Sequence, residues 1–345
     1  MLWYLKRTGQ AIFTAWAVIT ISFAIIRWMP GGPLDYIRAQ LIAGAGLGGG
    51  GDITGDPRQI ERINRMAELY INVNPDDPLH IQYINYMTAL AQGDLGTSVW
   101  YTQPVSDILG PAIPWTIFIG VIGAFISFVS LVVCGALLAY YEGSNLDFGG
   151  TTGLIWVNST PYHIGAILML FLFAFQLGWF PSGGRWSHQT VPGINPEFVF
   201  DVIEHAALPV ISMAWATFGA GALAMRGNAI QVLGSDYMRV GELRGLSTRR
   251  LTLRYVARNA ILPMYTQLLI GIGFMFGGAV ILETIFQYPG VGYYMYRGIQ
   301  ARDYPLMMGA FILITLAVVI ALFIADLTYG IIDPRVKRGE SDEAF

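Results

Sequence analysis

Asp236-Tyr237-Met238-Arg239-Val240-Gly241-Glu242-Leu243-Arg244-Gly245 opens an arginine-rich stretch that runs to Ile261-Leu262-Pro263 and is flanked by apolar runs long enough to cross a bilayer. Arg239, Arg244, Arg249, Arg250, Arg254 and Arg258 face two acids, Asp236 and Glu242, for a formal charge of +4. Basic residues next to membrane spans are held in the cytoplasm, so a charge block between two spans marks a cytoplasmic loop. A short helix from about Ser235 to Leu246 would bring Tyr237, Val240 and Leu243 together, with Arg239 and Arg244 beside them. Gly245 then allows a sharp reversal, because glycine accepts positive φ at little cost. Such a helix could seat in a partner's groove. The same arginines could equally be topogenic, or bind anionic lipid headgroups.

Working outward, the chain has 345 residues, 54% hydrophobic and 12% charged, with a mean hydropathy of +0.51. A soluble protein carries about 25% charged residues, so this composition belongs in a membrane. Crossing the hydrocarbon takes about 20 apolar residues. Six segments qualify: Thr8 to Ile26, Ile113 to Ala139, Thr151 to Phe175, Ala206 to Met225, Asn259 to Leu282 and Leu306 to Ala325. Six spans put both termini on one side. Lys6 and Arg7, the arginine block, and Arg335, Lys337 and Arg338 all fall on that side, which the basic-residue rule makes cytoplasmic. Residues 30–111 lie opposite, with nine acids and four arginines. The expected layout is therefore 1–29 for the N-terminus and first span, 30–111 for a small extracytoplasmic domain, 112–333 for the membrane core with its cytoplasmic loop at 228–259, and 334–345 for a cytoplasmic tail. The apolar run at the first span exceeds a secretory signal's and no small-residue cleavage site follows it, so it reads as a retained anchor.

The outside segment contains a glycine run from Gly44 to Gly51, a helix start at Asp56-Pro57, and a second helix from Pro78 to Gln92 closed by Gly93. The glycine run lacks the Lys and Ser/Thr of a phosphate loop and reads as a flexible linker. No Gly-Lys pair occurs anywhere, so ATP hydrolysis is assigned to another polypeptide. Asn195-Pro196 is a cap for the helix leading into the fourth span. Ionisable residues at mid-membrane depth are sparse. Arg27, Arg226, Glu283 and Asp326 sit at span ends where snorkelling is easy, and His163 reads as a packing residue. Pro161 and Pro209 interrupt spans but do not form a matched pair with polar partners, as an ion-coupled carrier would require. Cys134 stands alone, and the four histidines are scattered without metal-ligand spacing. No catalytic residue, cofactor or metal follows from this sequence.

Several segments, taken together, resemble the dipeptide/oligopeptide branch of the permease subunits of ATP-binding-cassette importers. They are Pro30-Gly31 with Pro33; Gly93-Asp94-Leu95-Gly96-Thr97-Ser98 followed by Gln103-Pro104-Val105; Phe180-Pro181-Ser182-Gly183-Gly184; Asp236 to Arg239; Arg244-Gly245-Leu246-Ser247; and Arg258 to Pro263. Downstream come Glu283-Thr284-Ile285-Phe286, Pro289-Gly290 with Gly292, Arg302-Asp303-Tyr304-Pro305, Asp326-Leu327 with Tyr329-Gly330, and Asp333-Pro334-Arg335. The match runs in order from the first span to the tail and is nearest the first of the two permeases in such systems. Val240 stands where the general motif has Ala, and Gly44 to Gly51 looks like an insertion.

That resemblance implies an all-α polytopic membrane protein with six transmembrane helices in the type I importer permease fold. It implies a second homologous permease, two ATPase subunits and an extracytoplasmic solute-binding protein as partners, with the lipid bilayer around them and no nucleic acid. It puts Tyr237, Arg239, Val240, Gly241, Glu242, Leu243, Arg244, Gly245 and Pro263 at the ATPase-coupling loop. Glu283, Pro289, Gly290, Gly292, Arg302, Asp303 and Pro305 form its extracytoplasmic signature. The rival readings are a stand-alone channel or an ion-coupled secondary transporter, which would need mid-membrane polar networks and no ATPase.

Overall fold

A computed structural model describes residues 2–28, 65, 70, 77–246, 260–261, 264–265, 268 and 279–332. All its named elements are helices. They are α1 (Leu2–Trp28), α2 (Leu79–Ala91), α3 (Val105–Leu109), α4 (Ile113–Tyr140), α5 (Asn145–Ser159), α6 (Tyr162–Met169), α7 (Pro196–Leu233), α8 (Asp236–Leu243), α9 (Val291–Ala301) and α10 (Tyr304–Ile332). Among the described residues four stretches are long and apolar enough to cross a membrane: Leu5–Ile25, Val105–Tyr140, Pro196–Leu233 and Tyr304–Ile324. A bent pair, Asn145–Ser159 with Tyr162–Gln176, makes a fifth if its halves act as one span. The predicted fifth span lies mostly outside the described residues, as do the glycine run and most of the predicted helix after Asp56-Pro57.

The interruption expected at Pro161 is present, and the one expected at Pro209 is not. The third predicted span is broken by 99° between α5 and α6. Thr160 precedes a proline, which disfavours helical backbone, and it is extended with ψ 119°. Beyond α6 the helix widens over Leu170–Gln176, where the Leu177 N–H reaches back five residues to the Leu172 carbonyl at 3.0 Å. The span also starts earlier than expected, at Asn145, where Ser144 caps α5 by accepting from the Asp147 N–H at 3.2 Å. Pro209, by contrast, does not interrupt its span: α7 runs unbroken through it for 38 residues. Membrane helices tolerate proline where neighbouring groups satisfy the freed backbone. The Asn195 cap is as expected, its side chain accepting from the Phe198 N–H at 2.8 Å.

The chain divides into two compact units, Met1–Pro114 with Gly290–Phe323, and Trp115–Pro289 with Ile324–Phe345. In the first, Phe23 of α1, Tyr86 of α2 and Met308 and Ile312 of α10 form one apolar cluster. Val105, Leu109, Val291, Leu306 and Ala310 form another. In the second unit α4, α5 and α7 approach closely at small residues. A Cβ on Gly135 would stand 2.6 Å from the Ala222 carbonyl oxygen, and one on Gly219 2.9 Å from the Asn158 nitrogen. Close backbone approach is the usual way for helices to gain dispersion contact where lipid supplies no hydrophobic drive.

Candidate functional site

α7 ends at Leu233, and the chain turns through Gly234-Ser235 into α8. The Ser235 carbonyl accepts from the Met238 N–H at 3.0 Å, and Asp236 occupies the first turn, where the helix dipole favours an acid. At the other end Gly245 adopts φ +69°. The Leu246 N–H then reaches the Gly241 carbonyl at 3.2 Å, the six-to-one bond of a Schellman stop. The two faces of α8 differ sharply. Met238 is 2% exposed and joins a core made by Leu131, Ala136 and Leu138 of α4, Leu154 of α5, and Ala222, Met225 and Ala229 of α7. Gly241 is buried on the same side. Tyr237 and Val240 are 44% and 48% exposed and Leu243 is 82% exposed, with Arg239 and Arg244 also outside. Glu242 lies on the helix, and Pro263 lies outside the described residues. α8 is thus a short helix that exposes Tyr237, Val240, Leu243 and two cations, while Met238 and Gly241 are buried against the bundle.

The remaining motif residues lie at helix ends. Asp303 is 1% exposed and caps α10, accepting from the Leu306 N–H at 3.2 Å. Its other carboxylate oxygen accepts from the Ser98 hydroxyl and from the Trp100 N–H at 3.0 Å. Arg302 before it takes the left-handed conformation, φ +54°, that ends α9, and Pro305 follows just inside α10. The loop it clamps is itself closed by a bond from the Val105 N–H to the Gly96 carbonyl at 2.9 Å. Gly290 is the N-terminal cap of α9, with Pro289 before it and Gly292 buried in its first turn. In the second unit Glu283 is fully buried and accepts from the Thr116 hydroxyl at 2.7 Å. The helix around it stops through Gln287 at φ +44°, with the Tyr288 N–H on the Glu283 carbonyl at 2.8 Å. Gly184 donates to the Phe286 carbonyl at 3.2 Å, so Phe180–Gly184 and Glu283–Phe286 meet. Burial pushes the Tyr288 phenol well above its ordinary pKa.

Comparison with known proteins decides the family. The family described as "Binding-protein-dependent transport system inner membrane component" is matched over residues 131–338. The chain is 30% identical over 336 residues to the oligopeptide transport system permease protein AppB of Bacillus subtilis, covering 96% of this chain and 98% of that one. It is 30% identical over 333 residues to the oligopeptide transport system permease protein OppB of Haemophilus influenzae, with 96% and 98% covered. It is 28% identical over 348 residues to the di/tripeptide transport system permease protein DppB of Pseudomonas aeruginosa, again with 96% and 98% covered. The chain belongs to this family. It is a multi-pass membrane protein and a permease component of binding-protein-dependent transport.

In this permease the sequence reading missed two arrangements, and it also set Glu283 at a snorkelling position although that residue is fully buried on Thr116. Arg226 is held in an ion pair. Its Nε and Nη2 donate to the two Asp147 oxygens at 2.6 and 2.7 Å, a bidentate pair between α7 and the start of α5. Gly143 N–H and the Thr151 hydroxyl donate to the same carboxylate at 3.0 and 3.2 Å. The partners are 79 residues apart, and the segment around Asp147 offered no Lys or Arg to draw attention to it. The second is an aromatic cluster: the Arg185 guanidinium stands 4.8 Å from the Trp186 ring and 5.4 Å from Trp115, with Tyr288 against Trp115 at 6.4 Å. The His163 ring stands edge-on to that of its neighbour Tyr162, with centroids 5.5 Å apart. Among the described residues no group of three His, Cys, Asp or Glu stands together as a metal site.

Proposed function

We propose that this permease forms half of the translocation path of an ATP-driven importer of peptides, paired with a second homologous permease above two ATPase subunits and fed by an extracytoplasmic binding protein. In this reading the chain crosses the membrane six times with both termini in the cytoplasm, and 30–111 is extracytoplasmic. The observation that carries the coupling role is the two-faced α8, whose Met238 side is locked into the bundle while Tyr237, Val240 and Leu243 stand exposed. Exposed apolar knobs flanked by Arg239 and Arg244 suit a groove on a partner that moves when it binds ATP. A rigid helix rooted among α4, α5 and α7 would pass that motion to the path. Cargo choice falls chiefly to the binding protein, because the spans supply hydroxyls and aromatics rather than a charged recognition set. The names of the relatives support peptides as the cargo class.

The deciding experiment is a pull-down of the tagged chain from gently solubilised membranes, with ATP hydrolysis and peptide uptake measured in parallel. Co-purification of a second permease and two ATPases is expected, with capture and uptake lost in Gly245→Asp and Glu242→Arg while membrane insertion is kept. Normal uptake in both variants would remove the coupling assignment. A chain that purifies alone with no ATPase would favour the channel or carrier.

A further inference from the structure

Within the first unit, α1, α2, the α3–α4 segment and α10 enclose a partly open cleft of about 330 Å³. Ile19 lines it from α1, Met87 and Leu90 from α2, and Ile312, Leu313 and Leu316 from α10. Ser106 is the one hydroxyl in its lining. The volume falls at the low end of ligand-sized pockets, roughly 300–1,000 Å³. Ordered water needs two to four polar partners, and a space this apolar supplies too few to hold it.

Depth identifies the occupant. Ile19 precedes the end of α1 at Trp28 by nine residues, about 13 Å of helix at 1.5 Å per residue. Ile312 and Leu316 follow the start of α10 at Tyr304 by eight and twelve residues, about 12 and 18 Å. The cleft therefore reaches from the interfacial loop at Gly93 and Leu95 to about the midplane of a hydrocarbon core roughly 30 Å thick. One lipid tail of the adjacent leaflet covers that range of depth. A tail is also slender and apolar, and the bilayer already supplies it there. The surrounding surface of α1 carries Ile12, Phe13 and Ile21 more than half exposed, as a lipid-facing helix does.

We propose that this cleft binds one phospholipid acyl chain from the leaflet on the α2 side, holding the lipid as a structural ligand of the first unit. The inference rests on the multi-pass placement of the chain and is independent of cargo and of ATPase coupling.

The test uses the intact complex in native membranes. A photo-reactive phenylalanine analogue replaces Leu313, and after irradiation the chain is analysed by mass spectrometry. An adduct of phospholipid mass is expected, and it should fall at least five-fold when Leu316→Phe narrows the cleft. As a second readout, native mass spectrometry of the purified complex should show one retained phospholipid per chain fewer in Leu316→Phe than in the parent, with peptide uptake telling whether the variant is assembled. An adduct to another subunit would overturn the proposal, because protein then fills the cleft. So would the absence of any adduct, or an unchanged lipid count in an assembled Leu316→Phe complex. Loss of uptake with the lipid adduct intact would bear on the transport reading and leave this one standing.

Discussion

Gly245 can be tested so that backbone strain is separated from steric contact. Its φ of +69° ends α8, and a Cβ built there meets nothing within 4 Å. Any cost of substitution inside this chain is therefore conformational. Left-handed backbone costs an ordinary residue about 1–2 kcal/mol, while asparagine visits it readily and glycine without penalty. A β-branched residue at positive φ is the most strained. The series Gly245→Asn, Gly245→Ala and Gly245→Val should lower the population of the closed α8 end by little, by about five-fold and by thirty-fold or more, since 1–2 kcal/mol corresponds to roughly a 5–30-fold ratio. Capture of ATPase subunits by the tagged chain, titrated against ATPase concentration, should weaken in that order. Thermal melting of the purified chain should hardly move, because Gly245 lies beyond the bundle core. Equal weakening by Asn and Val would refute the strain argument and point to a partner surface pressed directly on Gly245. Unchanged capture by Val would show that the Schellman stop is irrelevant to docking.

Three further perturbations follow. Met238→Ala empties a seat shared by α4, α5 and α7, which for buried Met→Ala costs about 2–5 kcal/mol; ATPase capture should survive better than uptake, because the knobs remain while their anchor is lost. Arg226→Met strands the Asp147 carboxylate, so the melting temperature should drop, and the double variant Arg226→Met/Asp147→Leu should recover part of the loss. A double variant as unstable as the single would show that the pair is not the unit that matters. Asp303→Ala removes a helix cap worth about 1 kcal/mol together with the bonds to Ser98 and Trp100, and faster amide hydrogen exchange at Trp100 and Tyr101 should report it. Asp303→Asn should restore the cap bond to Leu306 and only part of the protection at Trp100.

What could be read in the sequence follows from the range of each signal. The first, second, fourth and sixth apolar spans were legible because a membrane-crossing run is a local property of some twenty residues. So was α8, which carries its own start, its exposed apolar positions and its glycine stop within ten residues. The break between α5 and α6 was legible as an interruption at the Thr160-Pro161 step, but its 99° angle was not. At Pro209 the same local signal misled, since the packing around α7 overrides it. Asp147 with Arg226, and Ser98 with Asp303, are contacts across 79 and 205 residues, and no local window contains both partners.

The physical sense of the family's motifs emerges from where these residues stand. Asp303 and Gly290 are caps, Arg302, Gln287 and Gly245 take left-handed turns, and Gly184 meets the Phe286 carbonyl as the chain reverses. The motif residues at these helix ends mark where chain direction changes, and the spans between them are built almost wholly from apolar residues. If the proposed importer moves its helices as rigid rods, fixed bends matter more than the exact apolar residue at each place along a rod. Substitutions that keep a rod apolar should therefore be tolerated far better than those that alter a cap. One exception to expect is Gly135, inside α4, where the Ala222 carbonyl leaves no room for a side chain. There a single added methyl group forces α4 and α7 apart, and a core that cannot yield typically charges about 1–3 kcal/mol for overpacking. Gly135→Ala should accordingly destabilise the second unit more than Gly153→Ala, whose Cβ would meet nothing within 4 Å. Equal melting temperatures for the two variants would mean that α4 and α7 slide past one another rather than pack as fixed rods, and the lever argument for α8 would lose its footing.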